Sequence, residues 1–165
     1  MRILLADNQP KVRFALRLLL GQEEGISVVG EAAAAEGLFT QIEATCPDLV
    51  LLDWDLPGVP MVDLLSALNN TYPALSVIAL SWRLELERLV LDAGADAFIS
   101  KADPPEQLLA AICSLDRVEA TPFAGEGEVD HVQRTTSTHS EANQPHWLCS
   151  SCRNWRGSKC ERQNR

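Results

Sequence analysis

Short apolar runs alternate with longer amphipathic segments five times over residues 1–117. This alternation predicts five strands and five helices, because buried parallel strands are continuous apolar runs and helices repeat apolar residues every three or four positions. Short connections imply right-handed crossovers, and hence an α/β fold built on a parallel sheet. Strands are expected near residues 2–6, 26–31, 48–53, 75–80 and 96–100, and helices near residues 9–21, 34–45, 62–70, 84–94 and 104–116.

The first helix carries signals at both ends. Asn8 offers a capping side chain, and Pro10 favours the backbone geometry of a first helical turn. Gly21 fits the C-terminal end of the same helix. The apolar stripe between these ends is predicted to consist of Val12, Leu16, Leu19 and Leu20.

Two aspartates stand where predicted strands end. Asp7 follows the apolar run 2–6, and Asp53 closes the run 48–53. In an open parallel sheet with helices on both faces, ligands bind beyond the carboxyl ends of the strands. Carboxylate oxygens gathered there suit a hard divalent cation such as Mg²⁺. We therefore expect Asp7 and Asp53 to face one crevice.

Two further polar residues end later strands. Ser81 follows the apolar run 76–80, and Lys101 follows the run 97–100. An aspartate carboxylate can attack a phosphoryl group and form an acyl phosphate. The charge on the transferring oxygens must then be neutralised by a metal, a cation and hydrogen-bond donors. A hydroxyl and an ammonium at these strand ends are suited to phosphoryl oxygens held on Asp53.

Four segments in order carry a family resemblance. They are LADNQP (residues 5–10), LLDWDLPG (51–58), IALS (78–81) and FISK (98–101). With these segments, residues 1–117 resemble a response-regulator receiver domain, the phospho-acceptor module of two-component signalling. The resemblance implies a flavodoxin-like, doubly wound, five-stranded parallel sheet of order 2-1-3-4-5, followed by a C-terminal tail. The segment 10–13 is similar to the subclass that usually carries a helix-turn-helix DNA-binding output.

The resemblance also implies roles for individual residues. Asp53 would accept the phosphoryl group from a sensor histidine kinase or phosphotransfer protein. Asp7, Asp53 and the backbone carbonyl of Asp55 would hold Mg²⁺. Ser81 and Lys101 would bind the phosphoryl oxygens, as the catalytic partners of Asp53. Phe98 matches the aromatic switch position, although an aromatic there also suits plain core packing.

The chain departs from the family pattern near the site. Asn8 replaces a second acidic metal ligand, so it serves either as a helix cap alone or as a cap and weak ligand, and Mg²⁺ affinity is expected to be low. Ser81 replaces the commoner Thr, and Trp82 replaces a small residue. Asp55 and Arg83 occupy two variable positions and are expected to pair across the mouth of the site. Trp54 and Trp82 suit either loop coverage or partner contact.

Charge separates the chain into two parts. Residues 1–117 carry 8 Lys and Arg against 17 Asp and Glu, whereas residues 118–165 carry 6 of each. An acidic domain is a poor candidate for unaided nucleic-acid binding, which depends on Lys and Arg at phosphates. No window predicts a membrane span, and the N-terminus lacks a secretory signal. Cys46 and Cys113 suit reduced thiols near a core, so we expect a cytoplasmic protein.

Residues 118–165 have a different character. The stretch 118–146 is polar, without apolar periodicity, and is interpreted as linker or disorder. The end is basic and bears Cys and Trp, and no helix-turn-helix pattern is visible after residue 117. Disorder without metal is the favoured interpretation; the alternatives are a zinc site and the remnant of a lost output domain. The potential zinc ligands are His146, Cys149, Cys152 and Cys160.

These observations predict a phosphorelay response regulator, not an enzyme beyond self-dephosphorylation, that signals through a protein–protein face. That face would consist of helix 4, strand 5 and helix 5. It would bind an unknown downstream protein, and it could also form the interface of a homodimer. Helix 4 carries more leucines than a single apolar stripe can bury, so some of them are expected to be exposed. These leucines are Leu84, Leu86, Leu89 and Leu91. The alternatives are a pseudo-receiver that is never phosphorylated, a DNA-binding regulator using the basic tail, and a flavin-binding electron carrier.

Overall fold

The computed structural model describes the backbone of residues 1–118 and the side chains of residues 1–115. All five predicted strands form one parallel sheet with the spatial order β2-β1-β3-β4-β5. The predicted flavodoxin-like order is therefore confirmed. The strands are β1 (Arg2–Ala6), β2 (Ser27–Ala32), β3 (Leu49–Asp53), β4 (Ser76–Ser81) and β5 (Ala97–Ser100).

A helix follows every strand, as predicted. None of these helices, within residues 1–118, has the length and apolar character needed to cross a bilayer. The fourth begins as a 3₁₀ turn over Leu84–Leu86 before it becomes α-helical, so its α-helical part is shorter than the predicted 84–94. The helices are α1 (Pro10–Leu20), α2 (Ala35–Thr45), α3 (Met61–Thr71), α4 (Glu87–Asp92) and α5 (Pro105–Val118).

Alternate residues of the central strands enter two separate cores, one on each face of the sheet. In β3, Val50 and Leu52 pack with α2, α3 and α4, whereas Leu49 and Leu51 pack with α1 and α5. This division follows from the twofold alternation of side chains along a strand. Because both faces are covered, the central strands are apolar throughout, and the polar residues at their ends are left at one edge of the sheet.

The structure corrects the predicted start of α1. Gln9, not Asn8, occupies the N-cap position, and no side chain caps the helix. The Gln9 N–H donates to Asp7 Oδ1 at 2.7 Å, a contact that lies ahead of the first helical turn and is not a cap. Pro10 begins the helix as predicted. Gly21 ends it with a right-handed φ of −69°, which is available to any residue.

The expected surplus of leucines around α4 is exposed. Leu84, Leu89 and Leu91 are 61%, 49% and 41% exposed, whereas Leu86 packs against the core. Only Val90 of α4 is fully buried. The short helix therefore presents an apolar outer surface, as predicted from its surplus of leucines.

Gly58 is required where the loop after β3 meets the start of α2. Its φ is +129°, and a Cβ there would lie 2.8 Å from the Cβ of Ala35. We expect Gly58→Ala to destabilise the protein by about 1–3 kcal/mol, measured by urea unfolding. Gly37→Ala is the matched control, because a Cβ on that helical glycine meets nothing within 4 Å. It should stabilise by up to about 1 kcal/mol, and equal losses in both variants would contradict the explanation.

Candidate functional site

The polar residues predicted to converge lie at the carboxyl edge of the sheet. Asp53 is the last residue of β3, and Asp7 directly follows the neighbouring strand β1. Ser81 ends β4, and Lys101 directly follows β5. The backbone holds these ends in register, since the Lys101 N–H donates to the Ser81 carbonyl at 2.8 Å. The edge thus brings together residues that are far apart in the chain.

Lys101 joins the two aspartates. Its Nζ atom lies 2.6 Å from Asp7 Oδ2 and 2.9 Å from Asp53 Oδ1. The side chains are 6%, 1% and 2% exposed for Lys101, Asp7 and Asp53, so this is a buried cluster of two anions and one cation. We call these three residues the acid pocket. One ammonium serving two carboxylates leaves the cluster with a net negative charge, which favours a further cation.

Asp53 has one oxygen that is engaged and one that is not. Oδ1 accepts from Lys101 and, at 3.2 Å, from the backbone N–H of Asp55. Oδ2 is buried and has no hydrogen-bond partner in the described part of the chain. Burial raises the pKa of Asp53 above its usual value, and the hydrogen bond from Lys101 opposes that rise. A buried oxygen without a partner is unfavourable, and is a feature to be explained by function.

Ser81 is fully buried at the end of β4, beside the acid pocket. Its Oγ accepts from the Arg83 N–H at 3.1 Å. The Arg83 side chain reaches Asp55 Oδ1 at 2.6 Å, so the predicted pair across the mouth of the site is confirmed. Both side chains are about half exposed, which limits such a pair to about 0–1 kcal/mol of stability. The pair is therefore at most a minor source of stability.

Three aromatic residues that lie close in sequence to the site residues are buried to different extents. Trp54 is half-buried and packs against the core, whereas Trp82 is 58% exposed. Trp82 is thus available for partner contact, and Trp54 is the better local optical probe because it directly follows Asp53. Phe98 in β5 is half-buried against the same core as Trp54. That position is compatible with both a switch and plain packing.

The donor set fits Mg²⁺. Two buried carboxylates adjoin each other, and the Asp53 Oδ2 oxygen has no other partner in residues 1–115. Asn8 and Asp55 are exposed at the rim and offer neutral oxygens, an amide and a backbone carbonyl. Within the described region, no group of three His, Cys, Asp or Glu residues that could hold a metal occurs. Oxygen-only donors of this kind suit a hydrated Mg²⁺.

The structure adds two residues that sequence reasoning missed. Arg13 on α1 donates to the backbone carbonyl of Asp7 at 2.6 Å and to Glu31 at 2.7 Å. A sequence signal existed, because Glu31 is the lone acid of β2, but its partner could not be identified without the packing of α1. The predicted zinc ligands His146, Cys149, Cys152 and Cys160 lie outside the described residues.

Two strand-end aspartates bridged by a strand-end lysine, on a sheet of order 2-1-3-4-5, are the arrangement of a receiver domain. The chain belongs to the response regulator receiver domain family, whose sequence model matches residues 3–113. It is therefore a two-component system protein. Receiver domains are in general phospho-acceptors that bind Mg²⁺ at the phosphorylation site, and in general they are not enzymes.

Curated relatives support this assignment. The transcriptional activator protein ExaE of Pseudomonas putida is 38% identical over 114 residues, which cover 68% of this chain and 53% of that protein. The nitrate/nitrite response regulator protein NarL of Escherichia coli K12 is 34% identical over 112 residues, covering 67% and 52%. The chain thus spans about half the length of the curated relatives it matches.

Solved structures share the fold. The isolated REC domain of RcsB from Salmonella enterica serovar Typhimurium, in the presence of phosphomimetic BeF3-, matches with a TM-score of 0.67 and 26% identity. That match covers 71% of this chain and 88% of the other. A LuxR-family response regulator from Aurantimonas sp. SI85-9A1 matches with a TM-score of 0.65 and 28% identity, covering 70% and 85%.

Proposed function

We propose that this chain is a phosphorelay response regulator that accepts a phosphoryl group on Asp53. The observation that carries the proposal is the acid pocket, in which Asp53 and Asp7 share the Nζ atom of Lys101 at 2.9 and 2.6 Å. Asp53 also keeps the Oδ2 oxygen without a hydrogen-bond partner in the described part of the chain. An aspartate carboxylate with an oxygen that no donor occupies can attack phosphorus and form an acyl phosphate.

The proposed reaction is a phosphoryl transfer from a phosphohistidine of a sensor kinase or phosphotransfer protein. A bond forms between an Asp53 carboxylate oxygen and phosphorus while the bond from phosphorus to the donor nitrogen breaks, and the imidazole leaves. Lys101 and Ser81 would then bind the phosphoryl oxygens, as a cation and a hydroxyl at neighbouring strand ends. Bound Mg²⁺, held by Asp7, Asp53 and the Asp55 carbonyl with Asn8 as a weak ligand, would supply further neutralisation of phosphoryl charge.

We propose that Mg²⁺ binds weakly because Asn8 has a neutral amide at a position where the family usually has an acidic residue. The site therefore has one negative charge fewer around the cation. We expect Asn8→Asp to tighten Mg²⁺ binding about tenfold, because ligand charge tunes the affinity of such sites. The measurement is a Mg²⁺ titration followed by Trp54 fluorescence. Gln9→Glu is the matched control, since it adds the same charge one residue away on an exposed side chain. Unchanged affinity in Asn8→Asp, or equal tightening in Gln9→Glu, would place Asn8 away from the metal.

The exposed apolar surface around α4 supports a protein–protein output. Phosphorylation would draw Ser81 toward the pocket and bias Phe98 in the adjacent strand β5, which would reshape the face formed by α4, β5 and α5. The downstream protein, and a homodimer through that face, are both compatible with the exposure of Leu84, Leu89 and Leu91. We place the protein in the cytoplasm, with residues 118–165 as a tail dispensable for phosphorylation.

Acetyl phosphate with Mg²⁺ tests the proposal. Covalent labelling that requires Asp53 supports a phospho-acceptor. Absence of labelling, with acetyl phosphate and with a kinase alike, would favour the pseudo-receiver, to which Asn8 and Trp82 already point. A DNA-binding role for the basic residues after 147 lies outside the described residues. It would appear as salt-dependent DNA binding by the full chain.

A further inference from the structure

A closed ring of hydrogen bonds connects the edge strand β2 to the loop that carries Asp7. Arg13 Nε donates to Glu31 Oε2 at 2.7 Å, and Arg13 Nη1 donates to the Asp7 carbonyl at 2.6 Å. The backbone closes the ring, because the Asp7 N–H donates to the carbonyl of Ala32, next to Glu31, at 3.1 Å. Strand β2 thus reaches the acid pocket without placing a side chain in it.

The geometry of Arg13 suits a rigid connection. Its side chain is only 16% exposed, and its planar guanidinium holds two acceptors at fixed directions. The bond to Glu31 is charge-assisted, and the two arginines beside Glu31, Arg17 and Arg13, lower the pKa of that carboxyl. Glu31 therefore stays ionised at neutral pH and anchors Arg13. An anchored Arg13 fixes the backbone position of Asp7.

We propose that Arg13 is a positioning residue for the Mg²⁺ site, and that Glu31 is its anchor. This inference rests on the proposed function. The Gln9 N–H and the Lys101 ammonium both donate hydrogen bonds to the Asp7 carboxylate and so orient it. The geometry of these two bonds depends on the position of the Asp7 backbone. Groups that orient the ligands of a metal contribute to affinity without touching it, and their loss weakens binding 10–100-fold in typical sites.

The direction of the change in Mg²⁺ affinity distinguishes a positioning role of Arg13 from a purely electrostatic effect of its charge. Arg13 is a cation near a cation site, so removing its charge should tighten Mg²⁺ binding if electrostatic repulsion alone mattered. Positioning predicts the opposite, weaker binding. Arg17 is the matched control, because it binds the other oxygen of Glu31 but makes no hydrogen bond to Asp7 in the described structure, and its side chain is 54% exposed.

The experiment compares Arg13→Lys, Arg13→Gln and Arg17→Gln with the wild-type full chain. Mg²⁺ titrations follow the part of the Trp fluorescence change that Asp7→Asn abolishes. Both Arg13 variants should raise the Mg²⁺ Kd about tenfold, since Lys keeps the charge but lacks the two-pronged fork. Arg17→Gln should stay within about twofold of the wild type, because the Asp7 contact is intact. Melting curves establish that each variant is folded at the titration temperature.

Two results would overturn the inference: folded Arg13 variants with the wild-type Kd, or an equal loss of affinity in Arg17→Gln. If Arg13→Gln does not fold, Arg13→Lys decides between the two interpretations. Failure of the proposed function is a separate result. It would appear as a wild-type chain that neither labels on Asp53 nor responds to Mg²⁺, before any Arg13 variant is compared.

Discussion

Asp53→Asn should abolish phosphoryl labelling, whereas the wild type should gain one phosphoryl mass with acetyl phosphate and Mg²⁺. The substitution keeps the size of the side chain but removes the nucleophilic carboxylate. Intact-mass spectrometry measures the gain.

Asp55→Asn is the matched control for this experiment. Asp55 lies two residues further along, its side chain is exposed, and the substitution preserves the backbone carbonyl proposed to bind Mg²⁺. Labelling should therefore persist, although its lifetime is expected to change, since the substitution removes the ion pair between Arg83 and Asp55, two residues from Asp53. Full labelling of Asp53→Asn would show that another residue accepts the phosphoryl group and would remove the basis of the proposed function.

Lys101→Met should destabilise the protein by about 3–5 kcal/mol at neutral pH in the absence of Mg²⁺. The variant keeps an unbranched side chain of similar size but leaves Asp7 and Asp53 buried without their shared cation. Two adjacent carboxylates in a buried site repel each other, and their burial is then uncompensated. Urea unfolding monitored by circular dichroism measures the loss.

The pH dependence of this variant has a defined sign. Loss of Lys101, which opposes the effect of burial, should raise the pKa of Asp53 further in the folded state. A raised folded-state pKa means that stability is retained at low pH and lost as pH rises through that pKa. The penalty of Lys101→Met should therefore shrink on acidification and, by mass action, on addition of Mg²⁺.

Lys11→Met is the control for Lys101→Met. Lys11 is an exposed lysine of α1, so its replacement should change stability by no more than about 0.5 kcal/mol at any pH. An equally small change in Lys101→Met would mean that the ammonium does not compensate the two carboxylates. A penalty in Lys101→Met that is independent of pH would instead indicate lost packing.

The alternation of the sequence determined the order of the five strands and five helices over residues 1–118, although not the 3₁₀ turn that opens the fourth helix. This worked because apolar periodicity reflects local geometry, a repeat of two in strands and of 3.6 in helices. The polar residues at strand ends could be predicted for the same reason, since parallel strands bring their carboxyl ends to one edge. Asp7, Asp53, Ser81 and Lys101 all lie at that edge.

The exact contacts of those residues required the tertiary structure. Sequence pattern predicted Asn8 as the cap of α1, and only the tertiary structure shows that Gln9 occupies the N-cap position and donates its N–H to Asp7. Likewise, the leucines around α4 form no single stripe, so their exposure depends on how the short helix sits on the sheet. The sequence pattern predicts which face of a helix or strand is apolar. It does not predict which of several similar side chains makes a particular hydrogen bond or remains exposed.

The longest-range contacts were beyond any local pattern. Lys101 reaches Asp7 across 94 positions of sequence, and Arg13 joins Glu31 of β2 to the carbonyl of Asp7, which directly follows the neighbouring strand β1. The sequence by itself therefore determined the fold, the family and the edge of the sheet where the site lies. The tertiary structure alone decided which cation serves both carboxylates and which residue fixes Asp7, because such contacts depend on the distances between elements and not on the periodicity within one.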